Sequence, residues 1–405
     1  MNIVNLYENY NKYFSAEKKA IFEIFSKIAS KNNFKIYLIG GIVRDLLLGI
    51  ENLDIDITVE GNAIDFANFL VKECGAKIVS IHEDFGTIKV EISGQKIDLA
   101  STRSEIYPKK GHLPCVEKIG CTLEFDVIRR DFTINSLALS LNEDNFAGLI
   151  DYVGGFEDLK SKKIRVLHDM SFVDDPTRII RGLKYSLRLG FEIEEHTFEL
   201  QRDYLENINY DMCYARVKNE LKLTLGLNFQ KGFEKFINQK IYKLISQKEI
   251  EVPKINIEDL INKYKPQNLW LVYLGVIGVQ ENDDFSDKLE LTKVEKNIIL
   301  GAKSLFGADV SDDFEIYKAF GTQKIESLLI LSVFRDKEKV FRYLDFLREI
   351  KLSVNGKDLL EMGIAPSKTY TDAFDYVLKI KLKNPHMAKK EEKKLLSEYM
   401  SAIDL

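Results

Sequence analysis

The sequence predicts an α+β protein, with a sheet-rich part in the first 150 residues and a helical remainder. Short, β-branched and partly alternating segments indicate strands between about residues 35 and 150, namely KIYLIG, DIDITVE, AKIVSI, GTIKVEI and QKIDLAS. After about residue 155 this pattern gives way to helical periodicity. A chain of 405 residues suggests roughly two to four domains, and 45% hydrophobic with 30% charged residues is ordinary for a globular protein.

The individual elements follow in chain order. Residues 1–30 predict a helix, because four apolar residues are spaced to share one face: Ile21, Ile24, Phe25 and Ile28. The stretch NAIDFANFLVKEC predicts a helix between two strands of a mostly antiparallel sheet. Residues 103–125 contain two prolines and two glycines and predict a mobile loop. Residues 175–190 predict a helix with proline in its first turn and glycine at its end.

Composition excludes several classes of protein. The N-terminal segment carries acidic residues and lacks the apolar stretch of a signal peptide, and no run of 18 apolar residues predicts a membrane span. The four cysteines form no CxxC pair, so free thiols in a reducing cytosol are expected, and with them a cytoplasmic location. The five histidines match no zinc-binding spacing. A net charge of −5, taken alone, argues against a nucleic-acid binder.

The segment LIGGIVRDLLLGIENLDIDITVEG carries the first chemical motif. Gly40 and Gly41 end a strand and open a helix, where backbone N–H groups can approach a phosphate. Asp54 and Asp56 follow in the next strand, and their i,i+2 spacing puts both carboxylates on one face. Because two such carboxylates repel each other, they require a cation, and Mg²⁺ prefers carboxylate oxygens together with substrate phosphates. Asp98, in QKIDLAS, is the candidate third carboxylate of a two-metal site.

Three further motifs identify a family. They are RRDFTINSLA (129–138), DYVGGFEDL (151–159) and DDPTRIIRGLKYSLRLGF (174–191). With LIGGIVRDLLLG and DIDI, this series resembles the class II tRNA nucleotidyltransferase and bacterial poly(A) polymerase family. The stretch SVNGKDLLEMGIAPSKTYTDAFDYVL (353–378) is similar to the tail of bacterial CCA-adding enzymes, so the resemblance extends over almost the whole chain.

The resemblance implies a fold and an activity. It implies a nucleotidyltransferase head like that of DNA polymerase β over residues 1–150, a helical neck with the base-reading motif over 151–216, a helical body over 217–300, and a helical, tRNA-binding tail over 301–405. The implied reaction is addition of C and A from CTP and ATP to a tRNA 3′ end, without a nucleic-acid template and with Mg²⁺ as the cofactor. No membrane and no DNA partner are expected.

The resemblance also implies roles for individual residues. Asp54 and Asp56 are the implied metal ligands. Asp175 and Arg178 match the motif that reads the base, and Lys184 stands where the family usually has an arginine. The implied nucleotide-binding residues are Gly41, Arg44, Arg130, Asp131, Asn135, Asp175, Arg178, Arg181 and Lys184.

The pair Asp175 and Arg178 suits the discrimination of bases on chemical grounds. Three residues apart on a helix, the two side chains are expected to share one face. A carboxylate accepts a hydrogen bond from the exocyclic amine of cytosine or adenine, while arginine donates to a ring nitrogen or carbonyl. Uracil and guanine present a carbonyl oxygen at the corresponding position, which a carboxylate repels. One such pair could therefore accept C and A and reject U and G.

Other functions remain open at this point. An A-adding enzyme or a poly(A) polymerase would share all these motifs, although a loop at 103–125 fits a site that must switch from C to A. A small-molecule nucleotidyltransferase would use the same carboxylates, but the long helical remainder argues against it. A non-catalytic RNA-binding relative is disfavoured because both Asp54 and Asp56 are present.

The distribution of charge modifies the argument from net charge. Residues 1–216 carry 27 basic and 34 acidic groups, whereas residues 217–405 carry 31 and 29. The helical remainder is therefore slightly basic, which is compatible with tRNA binding. The pair His168 and Asp169 is interpreted as a connector and not as a phosphohydrolase site. The run KNPHMAKKEEKKLL is interpreted as a solvated helix with local ion pairs.

Overall fold

The computed structural model describes residues 5–51, 54–250, 253–281, 285–364 and 369–403. It divides into two compact units. The first comprises Met1–Glu220 with Gln239–Leu244, and the second Leu221–Asn238 with Ile245–Leu405. The finer division into head, neck, body and tail stays a prediction.

A seven-stranded sheet forms the centre of the first unit. The strands of the chain are β1 (Lys35–Ile39), β2 (Asp56–Glu60), β3 (Lys77–His82), β4 (Thr87–Ile92), β5 (Gln95–Ser101), β6 (Arg103–Ile106), β7 (Cys115–Ile119), β8 (Ala138–Ser140), β9 (Leu149–Ile150), β10 (Lys163–Ile164) and β11 (Glu192–Ile193). The order of the sheet is β3-β4-β5-β2-β1-β8-β9, and every neighbouring pair is antiparallel except β2 and β5, which are parallel. The predicted, mostly antiparallel sheet is therefore confirmed.

Helices cover the sheet and extend the first unit. The strand β4 alternates between buried and half-buried residues, as expected where one face of a sheet is covered. The helices of this part are α1 (Tyr7–Tyr13), α2 (Ala16–Lys31), α3 (Gly41–Leu48), α4 (Ala63–Cys74), α5 (Leu123–Ile128), α6 (Gly155–Lys160), α7 (Ser171–Asp174), α8 (Thr177–Leu189), α9 (Glu195–Glu206) and α10 (Tyr214–Leu225). Single 3₁₀ turns lie at Glu83–Phe85, Thr133–Asn135, Glu143–Asn145, Ile241–Leu244 and Leu347–Glu349.

The predicted N-terminal helix is two helices in the structure. Ser15 interrupts it, because its side chain accepts a hydrogen bond from the backbone N–H of Lys18 and caps α2. Three of the four predicted core residues are buried, but Ile24 is exposed and Phe22 is buried instead. Residues 1–4 of the prediction lie outside the described residues.

The segment predicted as a mobile loop is an ordered hairpin. The strands β6 and β7 pair antiparallel across residues 103–119. Gly111, in the connection, has a φ of +72°, which suits glycine. Its carbonyl accepts a hydrogen bond from the N–H of Cys213 at 3.0 Å. The loop prediction was wrong because the sequence does not show which tertiary partner the turn contacts.

The helix predicted at 175–190 is present as α8, and its ends follow the expected chemistry. Pro176 occupies the N-cap, and Gly190 ends the helix with a left-handed φ of +69°. On either side of α8, the two-residue strands β10 and β11 pair in parallel. The expectation that strands end near residue 155 was therefore wrong in this detail, because such short strands give no sequence pattern.

The described part of the second unit is helical and contains no strand. The apolar helices α13 (Leu269–Gly278) and α17 (Ile325–Phe334) are largely buried and pack against each other and against α15 (Lys293–Phe306). Its further helices are α11 (Gln230–Asn238), α12 (Ile257–Tyr264), α13 (Leu269–Gly278), α14 (Phe285–Lys288), α15 (Lys293–Phe306), α16 (Asp313–Gly321), α17 (Ile325–Phe334), α18 (Lys337–Asp345), α19 (Gly356–Glu361), α20 (Thr369–Lys383) and α21 (Lys389–Ile403). The predicted α+β class, with a helical C-terminal part, is confirmed. Among the described helices, none is long and apolar enough to cross a membrane.

The C-terminal charge run is only partly a solvated helix. Residues 389–403 form α21, and Lys394 pairs with Glu398 one turn later, as expected. Glu392, however, is fully buried and forms an ion pair with Lys381 of α20. Its second oxygen accepts the backbone N–H groups of Ser353 and Val354. Residues 365–368 of the tail motif lie outside the described residues.

We expect Glu392→Gln to destabilise the second unit by about 3–5 kcal/mol, because it leaves the buried Lys381 ammonium without a counter-charge. The matched control on the same helix is Glu398→Gln. Its pair with Lys394 is exposed, and the expected loss is below about 1 kcal/mol. Urea unfolding of the full chain, with hydrogen exchange to locate the change, measures both. Equal losses of unfolding free energy in the two variants would contradict the inference that the buried pair of Glu392 and Lys381 stabilises the second unit more than the exposed pair does.

Candidate active site

Two neighbouring parallel strands bring three carboxylates to one cleft of the first unit. Asp56 and Asp98 are register partners on β2 and β5, and Asp54 lies two residues before Asp56. One oxygen of Asp98 forms a salt bridge with Lys89 at 3.1 Å. Desolvation raises the pKa of Asp56 above the ordinary value, and the charges of Asp98 and Asp54 add to this. The cleft therefore concentrates negative charge at this point.

The glycine pair connects β1 to α3 at the edge of the same cleft. Gly40 has a φ of +77°, and a Cβ atom there would lie 3.5 Å from Nη1 of Arg130. Gly41 begins α3, and both glycines line the cleft. The helix start therefore exposes backbone to the cleft, as the prediction for a phosphate contact requires.

A chain of buried hydrogen bonds runs from α3 to α8. Arg44 donates through Nε to Asp45 at 2.8 Å and through Nη1 to Asn135 at 2.6 Å. Asn135 donates to Asp131 at 3.1 Å, and the other oxygen of Asp131 accepts two hydrogen bonds from Arg181, at 2.6 and 2.9 Å. Burial alone raises the pKa of Asp131, but the charge of Arg181 and the hydrogen bond from Asn135 outweigh it, and the pKa is lowered. Four of the predicted nucleotide-binding residues thus hold one another.

Asp126 holds the two arginines of the RRDF motif. It is fully buried, and its oxygens accept hydrogen bonds from Arg129 at 2.7 Å and from Arg130 at 2.9 Å. Arg130 lines the cleft, and its Nε is buried without a hydrogen-bond partner among the described residues. This donor remains for a ligand.

Asp175 and Arg178 both line the cleft, but not as two residues of one helix. Asp175 is extended and precedes α8, and its Oδ1 accepts hydrogen bonds from the N–H and the hydroxyl of Thr177. Arg178 lies in the first turn and donates to the hydroxyl of Ser171 at 2.6 Å and to the carbonyl of Arg129 at 2.9 Å. The two side chains are brought together by the start of α8 and not by helical spacing.

Sequence reasoning missed two side chains that contact this pair. The hydroxyl of Tyr107, which follows β6, lies 3.2 Å from Nη2 of Arg178. Nη2 of Arg216, on α10, donates to Oδ2 of Asp175 at 2.5 Å. The two residues are far from the pair in sequence. Nine of the 13 arginines of the chain lie between Arg103 and Arg216, and this enrichment was the signal for Arg216, whereas Tyr107 had none.

The cleft has a volume of about 910 Å³, which suits a nucleotide-sized ligand. Lys184 does not line it. Its ammonium donates instead to Glu220 at 2.7 Å, and the face of α8 that lines the cleft continues through Tyr185 to Arg188. The prediction for Lys184 therefore has no support in its position. The predicted residues that do line the cleft are Gly41, Arg44, Asp54, Asp56, Asp98, Arg130, Asp131, Asn135, Asp175, Arg178 and Arg181.

The acidic wall of the cleft, formed by Asp54, Asp56 and Asp98, is suited to a divalent cation only in part. In the described part of the chain, no group of three or more histidine, cysteine, aspartate or glutamate side chains is arranged as a complete metal site. Mg²⁺, however, is commonly held by one or two carboxylates together with substrate phosphates and water. Asp54 and Asp56 fit such a donor set. Asp98 already forms a salt bridge with Lys89, so a cation would compete with Lys89 for its carboxylate.

Comparisons with known proteins agree with these features. Residues 36–165 match the family described as poly(A) polymerase head domain. An A-adding tRNA nucleotidyltransferase of Geobacter sulfurreducens is 33% identical, over 95% of this chain and 47% of that protein, so the chain spans about half the length of this relative. Another of the same name, from Halalkalibacterium halodurans, is 27% identical over 91% of this chain and 89% of that protein.

A solved structure extends the likeness to both units. The Thermotoga maritima CCA-adding enzyme complexed with tRNA_CCA is 26% identical and superposes with a TM-score of 0.77, over 99% of this chain and 100% of that chain. Residues 36–165 thus match a poly(A) polymerase head domain, and the chain as a whole is similar to tRNA nucleotidyltransferases. The resemblance inferred from the motifs is thereby confirmed.

The resemblance assigns Arg44 to a motif, and the structure shows that its side chain also has structural contacts. The side chain is 2% exposed and bonded to Asp45 and Asn135, so most of its donors are occupied within the protein. Arg44 therefore holds α3 against the RRDFTIN motif as well as lining the cleft.

We expect Arg44→Met to destabilise the first unit by about 3–5 kcal/mol, because it removes the direct ion pair of the buried Asp45. Arg188→Met is the matched control. Arg188 lies 3.9 Å from the same carboxylate but is half exposed, and the expected loss is below about 1 kcal/mol. Thermal unfolding of the full chain compares the two. A stable Arg44→Met protein that fails only to bind nucleotide would instead make Arg44 purely a ligand contact.

Proposed function

We propose that the chain is a template-independent RNA nucleotidyltransferase that adds C and A to the 3′ end of tRNA, using CTP and ATP. The observation that carries this proposal is one cleft containing both an acidic wall and a base-reading pair, Asp175 and Arg178. The names of the Geobacter and Thermotoga proteins support a tRNA 3′ end as the substrate. Such a substrate goes with a location in the cytoplasm.

The proposed reaction needs no nucleophile from the protein. The 3′-hydroxyl of the RNA attacks the α-phosphorus of the nucleotide, and pyrophosphate leaves in line. Asp54 and Asp56 are the residues that would hold Mg²⁺, with Asp98 beside them. Bound there, Mg²⁺ would lower the pKa of the attacking hydroxyl and offset the charge of the triphosphate.

The chain's own cations would hold the triphosphate. Arg130 offers a buried Nε without a partner among the described residues, and Arg188 is a half-exposed guanidinium at the end of α8. Arg181 is already bonded to Asp131, so it is fixed in place before a nucleotide arrives. Fixed guanidinium groups bind phosphate without reorganisation.

Asp175 would select the base. Its carboxylate is acceptor-only when ionised, so it accepts from the amine of cytosine or adenine and repels the carbonyl of uracil or guanine. Arg178 would donate to the ring. Because the pair is buried, a mismatched carbonyl would leave unpaired polar groups, which costs binding strongly.

A second candidate is addition of A alone. The two relatives from Geobacter and Halalkalibacterium are named A-adding enzymes, which favours it. The argument for full CCA addition from a loop at 103–125 is weakened, because residues 103–119 form a β-hairpin. A poly(A) polymerase shares the same cleft residues. A small-molecule enzyme and a non-catalytic relative are less well supported, given the tRNA-related relatives and the retained carboxylates.

One assay tests the proposal. The protein is incubated with Mg²⁺ and tRNA ending before CCA, after its first C, or after CC, with labelled CTP or ATP given separately. Incorporation of both C and A supports the proposal. Incorporation of A on the CC-ending tRNA alone indicates an A-adding enzyme, and long A tracts on any RNA indicate a poly(A) polymerase. No incorporation by folded protein would refute the class.

We expect Asp56→Asn to lower the rate of nucleotide transfer at least about 100-fold, since even indirect changes at a metal site cost 10- to 100-fold. The binding of tRNA should change little, because the substitution is confined to the acidic wall. Asp65→Asn, on the exposed face of α4, is the matched control and should retain the rate. Filter binding and single-turnover incorporation measure the two quantities. Normal turnover by Asp56→Asn would remove the carboxylate from the mechanism.

We expect Asp175→Asn to lower the preference for CTP and ATP over UTP and GTP by at least about tenfold, because an amide can donate to a carbonyl as well as accept. The ratios of kcat/KM for the four nucleotides measure the preference. An unchanged ratio, with all four rates reduced together, would mean that another group reads the base.

A further inference from the structure

The first two turns of α10 place a charged pair in the cleft that the proposed reaction has not used. Arg216 and Glu220 are four residues apart, so they lie on the same face of the helix. Both line the cleft. Arg216 bonds to Asp175, whereas Glu220 accepts from Arg181 at 3.1 Å and from Lys184 at 2.7 Å. The helix therefore contacts Asp175 through Arg216, and it contacts Arg181 and Lys184 through Glu220.

The contact with Arg216 completes the support of the Asp175 carboxylate. One oxygen, Oδ1, is held by the N–H and hydroxyl of Thr177 at 3.1 and 2.6 Å. The other oxygen, Oδ2, is held by Nη2 of Arg216 at 2.5 Å. Donors from two different elements thus fix the plane of the carboxylate, leaving its remaining lone pairs in a fixed direction.

Arg216 itself is not fully satisfied. Its Nη1 is buried and has no hydrogen-bond partner among the described residues. A buried donor of this kind is uncommon in a folded protein. The guanidinium that carries it lies against the carboxylate that is proposed to read the base.

We propose that Arg216 is a positioning residue for base selection, which holds Asp175 as a fixed acceptor. This inference rests on the proposed function of Asp175. If the carboxylate were free to rotate, its oxygens would no longer meet the amine of cytosine or adenine in one fixed geometry, and selection would weaken. The hydrogen bond from Arg216 prevents this rotation.

The principal test compares Arg216→Met with the wild type. Binding of CTP, ATP, UTP and GTP is measured by calorimetry, and kcat/KM is measured on CC-ending tRNA. We expect the preference for CTP and ATP over UTP and GTP to fall about tenfold or more, with the loss falling mainly on CTP and ATP. Arg216→Lys should restore part of the preference, because it keeps the charge and one donor.

Two controls separate positioning from structural damage. Arg202→Met, an exposed arginine of α9 in the same unit, should leave every ratio unchanged. Glu220→Gln should alter the KM of all four nucleotides to a similar extent, because Glu220 contacts Arg181 of the cleft and Lys184 beside it. Equal losses for all four nucleotides in Arg216→Met would overturn the proposal.

A double-mutant cycle keeps the inference testable if Arg216→Met is poorly folded. In an Asp175→Asn background, Arg216→Lys should cause no further loss of preference, because the two residues act through one contact. Additive losses would overturn the proposal. Nucleotide binding needs no transfer, so a wild type that prefers CTP but transfers nothing contradicts the proposed function alone. A wild type that binds all four nucleotides alike overturns both.

Discussion

The geometry of the cleft depends on one buried carboxylate, Asp131. It lies in the RRDFTIN motif and accepts two hydrogen bonds from Arg181 of α8, 50 residues later. A buried charge is tolerated only when it is paired, and breaking such a pair is strongly destabilising. Since Asn135 and Arg44 continue the contact to α3, the helices α3 and α8 are held in one arrangement on either side of the cleft before a ligand binds.

The same device recurs around the cleft, and it changes the interpretation of the chain's charge. Asp126 holds two arginines, and Glu220 holds an arginine and a lysine. Asp126 and Asp131, within the first 216 residues, thus orient cations, and Glu220 does so just beyond them. The acidic excess and the many arginines of this region are therefore connected. Carboxylates hold the guanidinium groups rigidly, so that these groups can bind a triphosphate without reorganisation.

Most of the fold could be predicted, because β-branched alternation and helical periodicity are local signals. The glycine pair and Asp56 could be placed for the same reason, whereas Asp54, predicted in the same strand, precedes β2. The contacts of Arg216 and Tyr107 could not be predicted, since they join segments separated by 41 and 71 residues. The role of Lys184 stays a prediction, because spacing along a helix does not tell which of two adjacent residues faces a cleft, and here Tyr185 lines it.

Selection by a carboxylate has a requirement that the base-reading motif alone does not meet. A carboxylate rejects a carbonyl only while its oxygens stay in the orientation that meets the base. The start of α8 satisfies one oxygen of Asp175, but the second oxygen is held from α10, by Arg216. The specificity of such a site is therefore a property of two helices. A change on α10 that never touches the base can alter which nucleotide is accepted, because the free energy of discrimination depends on how firmly the acceptor is held.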